Sequence, residues 1–360
     1  MLQRPLMKFP LTKDSPLSLF EFWPNSIFYI PVFFFWFLKA FEHRGIATSL
    51  LANPRIETGG LCGESKSAIL NMAGDTAKTA IAPYITFRNS PHALTHLKRR
   101  LSEQNFSFPL VIKPDIGSNG TGVRKINSES DLKKTLSLFP YGNMLIAQEL
   151  IDFPLEAGIF FIRHPNEKHG KITSITYKEV PVLIGDGHSS LLSLALQNKR
   201  IRKLFPLYLP YLRKNAGKIL AKNEKYPLVF AGNHRRGSIF WNGTADLTSE
   251  LEKAINKILL DIPHFFFGRI DLKVKSKNDL LRGQHFKIIE INGVGSEATH
   301  IWDRKTKLID AYRDQFYHYG MAFKIGNYLK NQSWTHCSII HFLKSWQKHK
   351  KLTALYPKND

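Results

Sequence analysis

Apolar residues in this chain fall into short blocks, and the polar residues between them set the period of each block. Residues 109–112 (PLVI) form a buried-strand run that opens onto Lys113 and Pro114. A loop of Asp115, Ile116, Gly117, Ser118, Asn119, Gly120, Thr121 and Gly122 follows, and 123–126 then resume an apolar and basic alternation. The pattern predicts strand, loop and antiparallel strand. Residues 265–274 (FFFGRIDLKV) and 286–292 (FKIIEIN) read as two further strands, joined at 275–284 by a polar hairpin connection. Arg269 and Asp271 share one face of the first and Glu290 and Asn292 one face of the second, because side chains two apart in a strand point the same way. Helical spacing marks 128–139, and in the tail Ile339, Leu343 and Trp346 precede Lys348, Lys350 and Lys351. Residues 75–105 read as helix and linker, broken at Pro83 and Pro91.

Length allows two or three packed subdomains in 360 residues, and a hydrophobic content of 43% is that of a globular chain. Cys62 and Cys337 lie far apart without metal spacing, which fits a reducing compartment and argues against a disulfide framework. A net charge of +22 implies an anionic partner: a nucleotide with an acidic substrate, an anionic membrane surface, or nucleic acid. Residues 27–38 (IFYIPVFFFWFL) are apolar throughout but fall short of the roughly 20 that a bilayer span needs. Asp14 and Glu21 ahead of the run, with no small-residue cleavage site after it, argue against a signal peptide. Two readings stay open: a helix packed into an N-terminal domain or a dimer interface, and an aromatic anchor lying in a membrane interface.

The loop at 115–122 has the composition that turns backbone N–H groups inward over a phosphate, since glycine tolerates positive φ and holds no ligand off. It runs into more strand and lacks a Gly-Lys-Ser/Thr ending, so it is neither a Walker loop nor a dinucleotide fingerprint. An ordinary hairpin is the competing reading. Lys113 is placed to reach an α- or β-phosphate. Asp271, Glu290 and Asn292 offer oxygen ligands that suit Mg²⁺, and Arg269 beside them suits a transferring phosphoryl group. The competing reading is an amphipathic hairpin with solvated charges. At 52–67, Gly59, Gly60 and Gly63 lead into Glu64, Ser65 and Lys66; Arg55, Ser65 and Lys66 are candidate substrate contacts, against a structural turn and helix cap. Asn233, His234, Arg235 and Arg236 lie in a glycine-bounded loop, where arginine suits a carboxylate. Residues 199–225 carry nine Lys or Arg against Glu224 alone, a solvated basic face or a patch for an acidic polymer or membrane.

The order of strand-Lys-Pro with a glycine flap, then Arg-x-Asp, then Glu-x-Asn resembles the ATP-grasp superfamily, within it the D-alanyl-D-alanine ligase-like and carboxylate-amine ligase branches, over about residues 80–325. The resemblance implies an α/β (α+β) fold: an N-terminal substrate-binding domain at 1–82, a small lid at 83–152, a C-terminal domain at 153–328 and a basic tail at 329–360, with ATP between lid and C-terminal domain. It implies Lys113 and the flap residues Gly117, Ser118, Asn119, Gly120, Thr121 and Gly122 on the phosphates. Residues 144–151 (MLIAQELI) resemble the hinge strand, which puts Gln148, Glu149 and the backbone at Ile151 near the adenine and Glu156 near the ribose. Asp271, Glu290 and Asn292 would hold Mg²⁺, with Arg269 and Lys178 as the catalytic cations. The lysine the family often supplies ahead of the flap is not marked by a motif; Lys78 and Lys98 are candidates. Residues 185–196 (GDGHSSLLSLAL) are similar to a Gly-Asp-Gly turn of cyanophycin synthetases.

The implied activity is ADP-forming amide synthesis from a small-molecule or peptide-like carboxylate and an amine, through an acylphosphate, in the cytoplasm or at the inner membrane face. Nucleic acid is not an expected partner, and a homodimer and an anionic membrane surface stay open. Two alternatives are an ATP-grasp phosphotransferase and a basic membrane-surface or nucleic-acid binding protein with a vestigial nucleotide site. Asn292 is followed by Gly293, Val294, Gly295, Ser296 and Glu297, without the signatures of D-alanine ligases, so the resemblance extends to the nucleotide and metal site and not to the substrate.

Overall fold

Pro24 precedes two apolar helices, α1 (Asn25–Phe28) and α2 (Ile30–Glu42), and Pro31 sits in the first turn of α2, where a missing N–H removes no helix bond. The computed structural model describes residues 17–18, 20–230, 232–233 and 237–357. α3 (Lys66–Asn71) starts at Ser65, whose hydroxyl accepts the N–H of Ala68. α4 (Asp75–Ala80) carries Asp75 in its first turn, where a carboxylate suits the helix dipole. Among the described residues no strand precedes residue 84.

A four-stranded antiparallel sheet follows, built from β1 (Tyr84–Arg88), α5 (Ala93–Glu103), β2 (Leu110–Pro114), β3 (Arg124–Ile126), α6 (Glu129–Leu138) and β4 (Met144–Glu149), in the order β1-β4-β2-β3. α5 and α6 back it through Leu97, Leu101, Leu132 and Leu136. β1 corrects the linker reading of 75–105: five residues between two prolines are too few to display a period, yet they complete the sheet edge.

The rest of the chain builds a second sheet. β5 (Leu155–Ile162), β6 (Lys171–Glu179), β7 (Val182–Ile184), three helices α7 (Leu191–Gln197), α8 (Lys199–Lys203) and α9 (Phe205–Leu212), β8 (Lys225–Pro227), β9 (Ile239–Asn242), α10 (Ser249–Leu259), β10 (Phe267–Val274), α11 (Lys277–Leu281), β11 (Phe286–Asn292) and α12 (Leu308–Asn331) come in that order. Five of the strands pair antiparallel as β11-β10-β5-β6-β9, while β7 and β8 form a separate ribbon. The central strand β5 is buried at every position. Ala157, Ile159 and Phe161 face the core under α10, whereas Phe160 and Ile162 on the other face pack against α12. That second face continues into Glu156 and Gly158, where the packing gives way to a cleft. The 275–284 connection is not a plain hairpin: it carries α11, because the Ser276 hydroxyl accepts the N–H of Asp279 and starts a turn of helix.

α13 (Ile339–Leu355) returns over the N-terminal segment and the first sheet. The Ser345 hydroxyl donates to Glu57 at 2.7 Å, and Tyr356 packs into the core of the first sheet and donates to the carbonyl of Ile116 at 2.8 Å.

One side chain ties the N-terminal segment to β10. Asn53, fully buried, donates to the carbonyls of Gly59 (3.2 Å) and Phe267 (2.7 Å) and accepts the N–H groups of Phe266 (3.0 Å) and Phe267 (3.1 Å). Asn53→Ala strips this partner from buried backbone groups, each costing about 1–3 kcal/mol. The expected loss is on the order of 3 kcal/mol, read as a lower urea midpoint at unchanged m. A midpoint equal to wild type would show that β10 does not depend on this anchor.

Candidate active site

The two sheets face each other across a cleft of about 950 Å³. Strand alternation turns Arg269, Asp271 and Lys273 of β10 into it. The register of β11 sets Asn292 opposite Arg269 and Glu290 opposite Asp271. Beyond that pair the register slips, from Asp271 with Glu290 to Leu272 with Ile288, so Ile289 is the extra residue of a β-bulge. The carbonyl of Ile289 accepts Lys113 Nζ at 2.9 Å. The flap lysine therefore reaches across from the first sheet to the second, onto the backbone group that the bulge frees.

Charge along the floor alternates. Asp271 accepts Arg269 Nε at 2.9 Å and Nη2 at 3.1 Å and pairs with Lys178 at 2.7 Å. Glu156 pairs with Lys273 at 3.1 Å and Lys178 at 3.5 Å, and Glu290 with Lys66 at 3.5 Å. Burial of Asp271 acts to raise its pKa, but the Arg269 and Lys178 cations outweigh it and hold the carboxyl at about 2. Lys113 differs, because its other hydrogen-bond partner, Gln148 Oε1 at 2.8 Å, is also neutral. Burial pushes its ammonium down to about 8, with Glu290 only partly offsetting this.

The flap turns tightly at Asn119, Gly120 and Gly122, all with positive φ. Gly117, Ser118, Asn119, Gly120 and Thr121 line the cleft, while Gly122 does not; a Cβ there would meet Phe139 and Pro114, so it serves the turn. The carbonyl of Gly117 accepts Lys66 Nζ, and Ser118 Oγ lies 3.2 Å from His349 of α13.

Other expected contacts redistribute. Lys66 lines the cleft, whereas Lys78 and Lys98 do not; those two are exposed and pair with Asp75 and Glu129. Ser65 caps α3 and donates to Asp115 at 2.6 Å, which is the structural alternative, and Arg55 is exposed; neither lines the cleft. Gln148, Glu149, Ile151 and Glu156 do line it. The Gln148 amide is spent on Lys113 and on the carbonyl of Ala82, so it orients the lysine. Asn233 also lines the cleft, whereas Arg235 and Arg236 lie outside the described residues.

Several lining residues were not anticipated. Lys273 lies two positions past Asp271, and the same alternation places it. Glu64 lines the cleft beside Lys66, and Tyr29, Glu297 and Trp302 line it as a bonded group. In that group the Glu297 carboxylate accepts Trp302 Nε1 and Gln315 Nε2, each at 2.7 Å, and the Tyr29 hydroxyl. No local pattern links residues this distant in the chain.

Among the described residues no group of three His, Cys, Asp or Glu converges on a metal-sized site. The floor offers instead two carboxylates and an amide, a hard oxygen set that suits Mg²⁺ when phosphates complete the coordination. Asn292 supports the fit: its Nδ2 is buried without a hydrogen-bond partner, so no protein contact fixes the amide against turning its oxygen to a cation.

No protein-family model matches the chain. No curated protein matches it in sequence. Among solved structures it is similar to the VanG D-Ala:D-Ser ligase from Enterococcus faecalis, at 16% identity and a TM-score of 0.43 over 74% of this chain and 64% of that one. It is also similar to a D-alanine–D-alanine ligase from Bacillus anthracis (14% identity, TM-score 0.40, 81% and 70% covered) and to a bifunctional glutathione synthetase from Pasteurella multocida (15%, 0.37, 70% and 36%). The chain thus spans less than two thirds of the first and about a third of the last. Its own topology, a four-stranded antiparallel sheet with a glycine flap set against a five-stranded antiparallel sheet that presents Arg269, Asp271, Glu290 and Asn292, is an α/β arrangement of the kind the ATP-grasp resemblance implies.

Proposed function

We propose that this chain is an ATP- and Mg²⁺-dependent carboxylate-amine ligase that forms an amide bond through an acylphosphate. The observation that carries the reading is the in-register floor of Arg269–Asp271 against Asn292–Glu290, with Lys113 reaching over it from the lid. ATP phosphates lie between flap and floor, with the base toward residues 148–151. Lys113, Lys178 and Arg269 take phosphate oxygens, and the flap N–H groups cover them. Asp271, Glu290 and Asn292 hold Mg²⁺, which when bound neutralises phosphate charge. A substrate carboxylate oxygen bonds to the γ-phosphorus as the bridge to ADP breaks. The amine nitrogen then bonds to the acyl carbon, the carbon-oxygen bond to phosphate breaks, and the amine sheds its proton. The protein contributes positioning and fixed charge, so no nucleophilic side chain is required.

Calorimetry on wild type and on Glu290→Ala with Asn292→Ala tests the nucleotide site. Expected is ATP binding that needs Mg²⁺ in the wild type and is weakened by about 100-fold or more in the double variant, beyond the 10–100-fold that loss of an outer-shell partner costs. Metal-independent binding, or equal binding by both proteins, rejects the metal assignment. Phosphate release from ATP and an acid only when an amine is present marks the ligase; transfer without an amine marks a phosphotransferase.

A further inference from the structure

We propose that the outer face of α2 docks this protein on an anionic lipid bilayer. α2 carries two apolar stripes. Val32, Phe35, Trp36 and Ala40 turn toward the protein, where Phe35 stacks on Phe316 and Trp36 meets Phe323 edge-on, both of α12. Ile30, Phe33, Phe34, Phe37, Leu38 and Phe41 recur at the three- and four-residue spacing of a second helical stripe, and all are exposed, Phe34 and Leu38 at 69% and Phe41 at 89%. A helix that is apolar all round belongs in a core or in lipid, and here one side has neither.

Length decides how lipid is met. Thirteen residues make a helix of about 20 Å, against a hydrocarbon core of about 30 Å, and among the described residues no helix is long and apolar enough to cross a membrane. α2 therefore lies in the interface plane, with its aromatic stripe in the headgroup and acyl boundary. Charge selects the surface. The only charged residues in α2 are Lys39 and Glu42, paired at 2.6 Å near its C-terminal end, and cations border that end at Arg44, which is exposed, and at Lys330 of α12, whose Nζ donates to the Arg44 carbonyl at 3.1 Å. A chain of net charge +22 is drawn to anionic lipid, while a second copy on the same face would bring two such charges together. Tyr29 joins α1 to α2 and also lines the cleft, so the docking helix starts at the cleft wall.

The test is flotation of the full chain with vesicles of phosphatidylcholine alone or mixed with phosphatidylglycerol, using wild type and Phe34→Ser with Leu38→Ser. Both side chains point outward, so equal thermal midpoints and equal ATP affinity will show the variant folded. Expected is wild-type partition onto the anionic vesicles above the neutral ones, and a loss of at least about tenfold in the variant. Wild-type protein that stays with neither vesicle overturns the proposal, as does a variant that floats like wild type, which would move binding to a basic face elsewhere. A vesicle-free dimer that the variant turns to monomer, without flotation, overturns it in favour of a second copy.

Discussion

Asp271→Asn is expected to cost the folded chain about 3–5 kcal/mol and to abolish ADP formation, because removing one partner of a buried ion pair leaves the others uncompensated. Here two cations lose their nearest anion: Arg269, which grips both carboxylate oxygens, and Lys178 at 2.7 Å, which keeps only Glu156 at 3.5 Å. An amide keeps a hydrogen-bond acceptor but not the charge. The effect has a pH signature. With the folded carboxyl at about 2 and its ordinary value at 3.8, the unfolded chain binds the proton first as pH falls. The stabilisation is present above about pH 4 and disappears toward about pH 2, so wild type and variant converge in acid. Urea unfolding of both proteins across that range measures it. A neutral-pH difference below about 1 kcal/mol, the scale of a solvated surface pair, would mean the ladder is not a desolvated network.

The legible parts of this chain are those in which a single period carries the information. FGRIDLKV alternates, so the facing of Arg269 and Asp271 followed directly, and the same rule reaches Lys273, a residue overlooked because no motif ends on it. The bulge in FKIIEIN went unread: Ile288 and Ile291 both face the core, an odd spacing that a regular strand cannot satisfy, with Ile289 as the extra residue. β1 was illegible because its prolines outweighed five residues of alternation, and α11 because a Ser-capped turn has the composition of a loop. The run at 27–38 left two readings open, a packed helix and an interfacial anchor, because apolar residues all round do not say which side is covered; the packing of α12 shows that for α2. One group lining the cleft gathers Tyr29, Glu297 and Trp302 from distant parts of the chain. Tertiary structure creates that cluster, and no local propensity encodes it.

Lys113→Met is expected to weaken ATP binding by roughly 10–100-fold, the worth of about 1.5–3 kcal/mol for a charge-assisted hydrogen bond. The substitution should also erase two pH dependences of opposite sign. Burial holds the folded ammonium at about 8, below its ordinary 10.5, so between those values the unfolded chain binds more protons and stability rises with pH. Phosphate binding requires the charged form, so ATP affinity falls as pH climbs past about 8. No surface lysine would yield both slopes. Gln148 and the carbonyl of Ile289 hold the ammonium in place without neutralising it, and Glu290 only partly offsets its burial, so a bound anion adds counter-charge that favours the protonated form. ATP binding near pH 8.5 should then draw a proton onto Lys113, seen as a binding enthalpy that varies with the ionisation heat of the buffer and ceases to vary in Lys113→Met. Equal buffer dependence in the two proteins would assign the proton to another group and leave Lys113 a structural bridge between flap and floor.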